Sequence, residues 1–401
     1  VAEAIDVEVS AGANKVDILF IVDDSGSMCE EQANLRRNFN LFIDKIVDIG
    51  ADFQIAIVTT DMMDPEESGR FQNIPDGTPG ASCMEQVDIA NCPTPDNGEE
   101  YPPLVLRSSD PRYQNPDGTV NRDKLQRDFG CSATVGTAGN GFEMGLEAAK
   151  TALDLNLRNG YNSNFLRDEA FLGVIFVTDE NDCSDRGALD KVNGNVCEWE
   201  SDLLVPASEY IDFFAGLKGG DKSRIIMGGI IAPDTGVRFS SPEMVTPSCT
   251  SGNGEGYAGY RYKELIDGFE NRALANICDE SFDSALDSLG LLFREALENK
   301  CLASPPDTCV TSADCSDVSS CEATPRGAGS NCTDGRCFCE HFVVQVEVKR
   351  PAEDGELANR ECKALPNTED IRCILVEGQA ADFFIDYNAT GCDVSNMAIE
   401  F

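Results

Sequence analysis

Four stretches, Val16–Val22, Phe53–Thr59, Phe171–Thr178 and Ile225–Ile231, are apolar almost without polar interruption. A strand facing water on one side alternates, so these runs predict strands covered on both faces, as in a parallel sheet flanked by helices. Between them the apolar period changes. Leu35, Phe39, Phe42, Ile43, Ile46 and Val47 recur at helical steps, as do Phe142, Leu146, Ala149 and Leu153 in a helix expected to begin near Gly141. A third stripe runs through Phe282, Ala285, Leu286, Leu289, Leu292, Phe293, Ala296 and Leu297. Each stripe gives one face to bury against a sheet. Strands alternating with helices over residues 15–300 predict a doubly wound, mostly parallel α/β domain. In that architecture a ligand crevice lies at the carboxyl ends of the strands.

Two excursions interrupt the pattern. Residues 61–130 are rich in Pro, Gly, Asp and Asn, hold Cys83 and Cys92, and include an apolar piece at Leu104–Leu106 that suits an edge strand. Residues 232–262 are rich in Gly and Ser and carry Cys249. Loops of such length are usually functional or stapled. Asn115–Val120 has the outline of a calcium loop but no glutamate at its last position, and its Pro-Asp-Gly core favours a plain β-turn. Residues 1–14 form a polar N-terminal extension. After Lys300 the character changes: 301–340 is a cysteine-rich segment weakly similar to an EGF-like module, too poor in apolar residues to fold without staples. From 341 to 401, Phe342–Val348, Ile374–Val376 and Phe383–Ile385 read as strands of a small disulfide-tied β unit.

Charge and cysteine narrow the classes. The 401 residues carry a net charge of −40, which excludes nucleic acid as a partner because phosphate binding needs clustered cations. A diffuse acidic surface acts mainly on solubility and association. Eighteen cysteines, an even number, indicate an oxidising compartment, hence a secreted or surface-displayed protein. Zinc-ribbon spacings are absent and His341 is the only histidine. No apolar run approaches the roughly 18 residues that span a membrane.

The chemistry concentrates at one place. Val16–Val22 runs into Asp23-Asp24-Ser25-Gly26-Ser27, so Asp23, Ser25 and Ser27 bring one carboxylate and two hydroxyls to a turn at a strand end. These are hard oxygen donors, suited to Mg²⁺, Ca²⁺ or Mn²⁺. A second strand ends in Asp179-Glu180-Asn181-Asp182, and Gly136-Thr137-Ala138-Gly139-Asn140 precedes a helix. Taken singly, Asp23, Ser25 and Ser27 are good helix caps and Asp179 a good turn former; their convergence on one sheet rim is what favours a metal. Asp24, Glu180, Asn181 and Asp182 suit either outer hydrogen bonds to the ligands, a second cation, or a solvated acidic loop.

This constellation resembles the metal-ion-dependent adhesion site of von Willebrand factor type A domains. The resemblance implies that Asp23, Ser25, Ser27, Thr137 and Asp179 hold a Mg²⁺ (or Ca²⁺ or Mn²⁺) ion. The middle ligand is either Thr137, which follows a glycine as in many members, or Asn140, which lies nearer the family's distance from the helix. Cys29 and Cys131 flank two of these loops, and a bond between them would fix the loops together. Val177–Asp185 and the Gly136-Thr137 loop are also similar to secreted or lipoprotein A-domain proteins of predatory and social Gram-negative bacteria. The implied function is adhesion: a partner's Asp or Glu carboxylate completes the metal's octahedron, a local inversion of sign in an acidic protein. The competing expectation is a structural surface component whose metal only stabilises loops. An enzyme is not expected, because Ser-His and Cys-His chemistry have no candidate base beyond His341.

Overall fold

The backbone is described for residues 15–77, 89–189, 196–199, 201–252 and 254–298 of a computed structural model, with side chains except at 196, 201, 242 and 298, and backbone alone for short strands within 330–400. The N-terminal extension 1–14, Cys83, residues 301–329, His341 and Ile374–Val376 lie outside the described residues. Two compact units divide the chain, one spanning Asn14–Ala296 and one built on Leu297–Phe401.

In the first unit, β1 (Lys15–Val22) leads into α1 (Cys29–Asp48) and β2 (Asp52–Thr59). There follow β3 (Leu106–Arg107), α2 (Arg122–Ser132), α3 (Gly145–Leu153), the single turn α4 (Leu155–Arg158) and β4 (Phe171–Thr178). Next come α5 (Ala207–Leu217), β5 (Ile225–Ile231), the hairpin β6 (Cys249–Ser251) and β7 (Gly254–Gly256), α6 (Tyr260–Ile266), β8 (Asn271–Asn276) and α7 (Asp283–Glu298). The sheet order is β3-β2-β1-β4-β5-β8, parallel except for the antiparallel edge strand β3. This is the doubly wound, mostly parallel α/β fold expected from the alternation. The order reverses between β1 and β4, the point where such sheets open a crevice.

Alternate residues of β1 face opposite layers. Leu19 and Ile21 join Leu146 and Ala149 of α3, Tyr210 and Phe214 of α5 and Leu265 of α6 in one core. Phe20 points to the other layer, where it meets Phe39 and Phe42 of α1 and Phe129 of α2 at centroid distances of 6.2, 5.6 and 5.0 Å. Phe39 stacks on Phe129 and Phe42 meets Phe293 of α7 edge-on. α7 comes this close because residue 173 of β4 is glycine; a Cβ there would sit 2.4 Å from the Phe293 ring.

Several expectations are corrected. The helix expected from Gly141 starts at Gly145, because the backbone just before it is bonded to other loops: Cys183 N–H donates to Glu143 O (2.7 Å) and Met144 N–H to Thr60 O (3.1 Å). The edge strand forms at Leu106–Arg107, shifted from Leu104–Leu106. β8, of sequence NRALAN, carries no apolar run, and α2 lies inside the stretch read as loop. Asn115–Val120 is a turn, with Gly118 N–H bonded to Asn115 O at 2.9 Å. Three disulfides have both cysteines among the described residues, Cys92–Cys131, Cys183–Cys197 and Cys249–Cys278, and they indicate an oxidising environment. No described helix is long and apolar enough to cross a membrane.

In the second unit, β9 (Ser330–Thr333) pairs antiparallel with β10 (Arg336–Cys339), setting Cys332 opposite Cys337. β11 (Val343–Lys349), β12 (Ala358–Ala364), β13 (Ile371–Arg372), β14 (Asp382–Asp386) and β15 (Ile399–Glu400) form a sheet of order β14-β11-β12-β13-β15.

Phe39 is fully buried and touches three other rings. Phe39→Ala is expected to lower unfolding free energy by about 3–5 kcal/mol, measured as a fall in urea midpoint at constant slope.

Candidate functional site

Asp23 leaves β1 at the switch point, and its N–H donates to Val177 O of β4 (3.0 Å). The parallel register aligns Val22 with Val177, so Asp23 and the residues ending β4 emerge side by side. Asp23 is fully buried. Its Oδ1 accepts from Ser25 N–H at 2.7 Å and from Thr60 Oγ1 at 3.5 Å, and its Oδ2 accepts from Thr178 Oγ1 at 2.5 Å. The turn therefore closes on its own first carboxylate. Ser25 Oγ and Ser27 Oγ lie 3.3 Å apart, and Ser27 is near enough to the Asp179 carboxylate to favour its charged form. Asp179 Oδ1 is buried with no donor in reach.

The middle loop resolves into two different environments. Thr137 is buried, with Oγ1 3.3 Å from Cys29 Sγ; Cys29 is disulfide-bonded, so the hydroxyl is the donor. Asn140 turns outward, its amide 3.3 Å from Met63 Sδ. Between them Gly139 N–H donates to Asp24 O at 2.9 Å, and a Cβ at Gly139 would lie 2.0 Å from Asp24 Oδ2, so only glycine passes there. The suggested Cys29–Cys131 bridge is not formed: Cys131, at the end of α2, pairs with Cys92. The tie between the two loops is instead Gln32 of α1, whose Nε2 donates to Asp23 O (2.9 Å) and Gly136 O (2.7 Å).

Asp182 is not part of a solvated acidic loop. Fully buried, it accepts from Arg261 Nε (3.0 Å) and Ser184 N–H (3.2 Å) through Oδ2, and from Leu146 N–H (2.9 Å) and Ser184 Oγ (2.7 Å) through Oδ1. It caps α3 from another loop and anchors α6, which explains a helix start without a local cap.

The sequence reading missed Glu143, Glu31, Thr60, Thr178 and Gln32, all buried at this rim. Glu31 and Gln32 were hidden in the polar face of a helix; Glu143 was hidden by the misplaced helix start. Carboxylates accumulate here without matching cations, and burial is the leading cause of their shifts. It raises Asp23 and lifts Asp179 and Glu143 well above the ordinary carboxylate range. Asp24 is pushed up to about 9 by burial and by the charges of Glu67, Asp23 and Asp61, Glu31 to about 8, and Glu180 to about 7. Beside the turn, Asp24, Asp61, Asp64, Glu67 and Asp76 line an acidic pocket of about 330 Å³.

A buried carboxylate can be relieved by a proton or a cation. Asp23, Ser25, Ser27, Thr137 and Asp179 offer hard oxygens from three loops of one rim, and the donor-free Asp179 Oδ1 fits a cation better than an internal hydrogen bond. Among the described residues no three His, Cys, Asp or Glu side chains are arranged to share a metal ion. The expected set has a different make-up, two carboxylates with hydroxyls for the rest.

Two predictions follow from these contacts. Asp182→Ala leaves Arg261 buried and unpaired and is expected to cost about 3–5 kcal/mol, read by chemical denaturation. In EDTA, folded Glu180, Glu31 and Asp24 retain protons that the unfolded chain, with ordinary carboxyls, has already lost. Stability is therefore expected to fall as pH rises from 5 towards 9 and then level off. Thermal midpoints across that range check the sign, and added Mg²⁺ should raise the midpoint more at pH 8 than at pH 5.

No family model and no curated protein matches the sequence. Among solved structures, proximal thread matrix protein 1 from the mussel byssus is similar over 70% of this chain and 48% of its own, at 12% identity and a TM-score of 0.30. Two structures of the pilus adhesin SpaC from Lactobacillus rhamnosus GG are similar over 94% of this chain, each at 10% identity. Their TM-scores are 0.33 and 0.34, the second in an open conformation, with 52% and 51% of the adhesin covered. The chain spans about half the length of the structures it matches.

Proposed function

We propose that this protein is a metal-dependent binding module of the von Willebrand factor type A kind, secreted or displayed at a cell surface. In this reading Asp23, Ser25, Ser27, Thr137 and Asp179 hold a hard divalent cation, Mg²⁺ or else Ca²⁺ or Mn²⁺. The observation that carries it is the buried, donor-free Oδ1 of Asp179, one strand away from the Asp23 turn and beside Ser27. Thr137 is favoured over Asn140 because Gln32 binds its loop to the turn while Asn140 faces Met63. The cation's chemistry is that of a Lewis acid for oxygen donors. Hydroxyl ligands leave much of its charge uncompensated, so a partner's Asp or Glu carboxylate gains a strong ionic bond there.

The chain's own residues supply positioning. Thr178, Thr60 and the Ser25 N–H orient the Asp23 carboxylate. Disulfides Cys92–Cys131 and Cys183–Cys197 anchor residues adjoining the middle and third loops, so little ordering entropy is left to lose on binding. Binding is preferred to catalysis because the sequence holds one histidine, His341, as base for Ser-His or Cys-His chemistry.

The experiment is Mn²⁺ binding followed by electron paramagnetic resonance, paired with selection of Asp- and Glu-containing peptides on the immobilised protein. Asp179→Ala and Ser27→Ala are expected to weaken Mn²⁺ binding at least tenfold, and EDTA to abolish peptide capture while the circular dichroism spectrum persists. Peptide affinity unchanged by EDTA and by Asp23→Ala would overturn the reading. Metal binding without any carboxylate-dependent capture would support the structural-component alternative instead.

A further inference from the structure

Cys29 opens α1 directly behind the Asp23 turn, is buried, and is disulfide-bonded. Residues 14–296 hold eight cysteines, and six of them form the three pairs described above, which leaves Cys83 for Cys29. The ten cysteines after residue 300 are an even set. A bond from one of them to Cys29 would leave both Cys83 and one further cysteine unpaired in an oxidising compartment. The path of the chain agrees. Cys29 Sγ meets the middle loop at Thr137, 3.3 Å from its hydroxyl. The chain ahead of Cys83 is fastened to that same loop: Asp76 forms a parallel bridge with Val135, and its N–H donates to Thr134 O at 2.8 Å. The chain after Cys83 returns there through the Cys92–Cys131 disulfide. Cys83 lies seven positions beyond Asp76 and nine before Cys92, and seven residues can span up to about 25 Å.

We propose that Cys29 is bonded to Cys83 and that this cystine positions the Thr137 hydroxyl. The role given to Thr137 rests on the function proposed above; the bond does not. A cystine sulfur carries no hydrogen, so toward Thr137 it can only accept. The Thr137 proton is thereby committed to sulfur and the oxygen keeps its lone pairs, as a hydroxyl must to ligate a cation. A free Cys29 thiol can instead donate to that oxygen and occupy a lone pair. Cation affinity then depends on the oxidation state of one cysteine pair. Reduction by a dithiol breaks the S–S bond, adds two electrons and two protons to give two thiols, and leaves the dithiol as a disulfide.

The bond is tested on the wild-type chain by alkylating free thiols, digesting without reductant and identifying linked peptides by mass spectrometry. A Cys29–Cys83 linked peptide is expected. An alkylated Cys29, or Cys29 linked to any other cysteine, overturns the proposal. Positioning is tested by Mn²⁺ titration. Cys83→Ser, which frees the Cys29 thiol, is expected to weaken Mn²⁺ binding about tenfold and to change nothing further when Thr137→Ala is already present. An equal loss in both backgrounds, or no loss in either, means a purely structural staple and overturns the positioning role. If Cys83→Ser does not fold, Cys29→Ala combined with Cys83→Ala carries the same comparison without a free thiol. A wild type that binds no Mn²⁺ sinks the adhesion-site reading and the positioning role together, whereas the linked peptide decides the bond by itself.

Discussion

The parallel pairing of β1 with β4 is the constraint on which the rest depends. It aligns Val22 with Val177 and bonds Asp23 N–H to Val177 O, so that two strands bearing carboxylates end together at the point where the sheet order reverses. Connections there leave in opposite directions, which opens a crevice that the helices do not fill. Asp23 and Asp179 are brought together by backbone hydrogen bonding, with no contribution from any attraction between them. Their mutual repulsion is a cost that the sheet and the aromatic layer of Phe20, Phe39, Phe42, Phe129 and Phe293 offset.

The loops above that rim are held by contacts that do not involve the carboxylates' charge. Gln32 spans from α1 to two backbone carbonyls, Asp182 and Arg261 lock the loop after β4 to α3 and α6, and disulfides tie the long excursions down. Buried acids are thereby kept in place against the tendency of like charges to separate or reach water. Such stored electrostatic cost, concentrated in a crevice, is the arrangement expected of a binding site.

The strands were legible because a two-sided buried strand has to be apolar throughout, and all four runs in the first unit became strands. β8 was not, since an edge strand half open to solvent tolerates Asn and Arg. The start of α3 was misread for a related reason. Phe142 keeps the helical spacing of Leu146 and Ala149, yet it packs against Cys183 in a separate apolar cluster while the backbone of Glu143 and Met144 bonds to neighbouring loops. The Cys131 pairing was equally illegible, because connectivity depends on where α2 lies.

By itself the sequence determined the α/β layering and the presence of hard oxygen donors at the ends of β1 and β4, since both follow from local periodicity and residue chemistry. Only the tertiary structure decided which acids share the crevice. Glu143, Glu31 and Asp182 are separated from Asp23 by between 8 and 159 positions of sequence, and nothing local distinguishes them from surface carboxylates. Their burial, and with it their chemistry, comes from long-range packing that excludes water from one rim of one sheet.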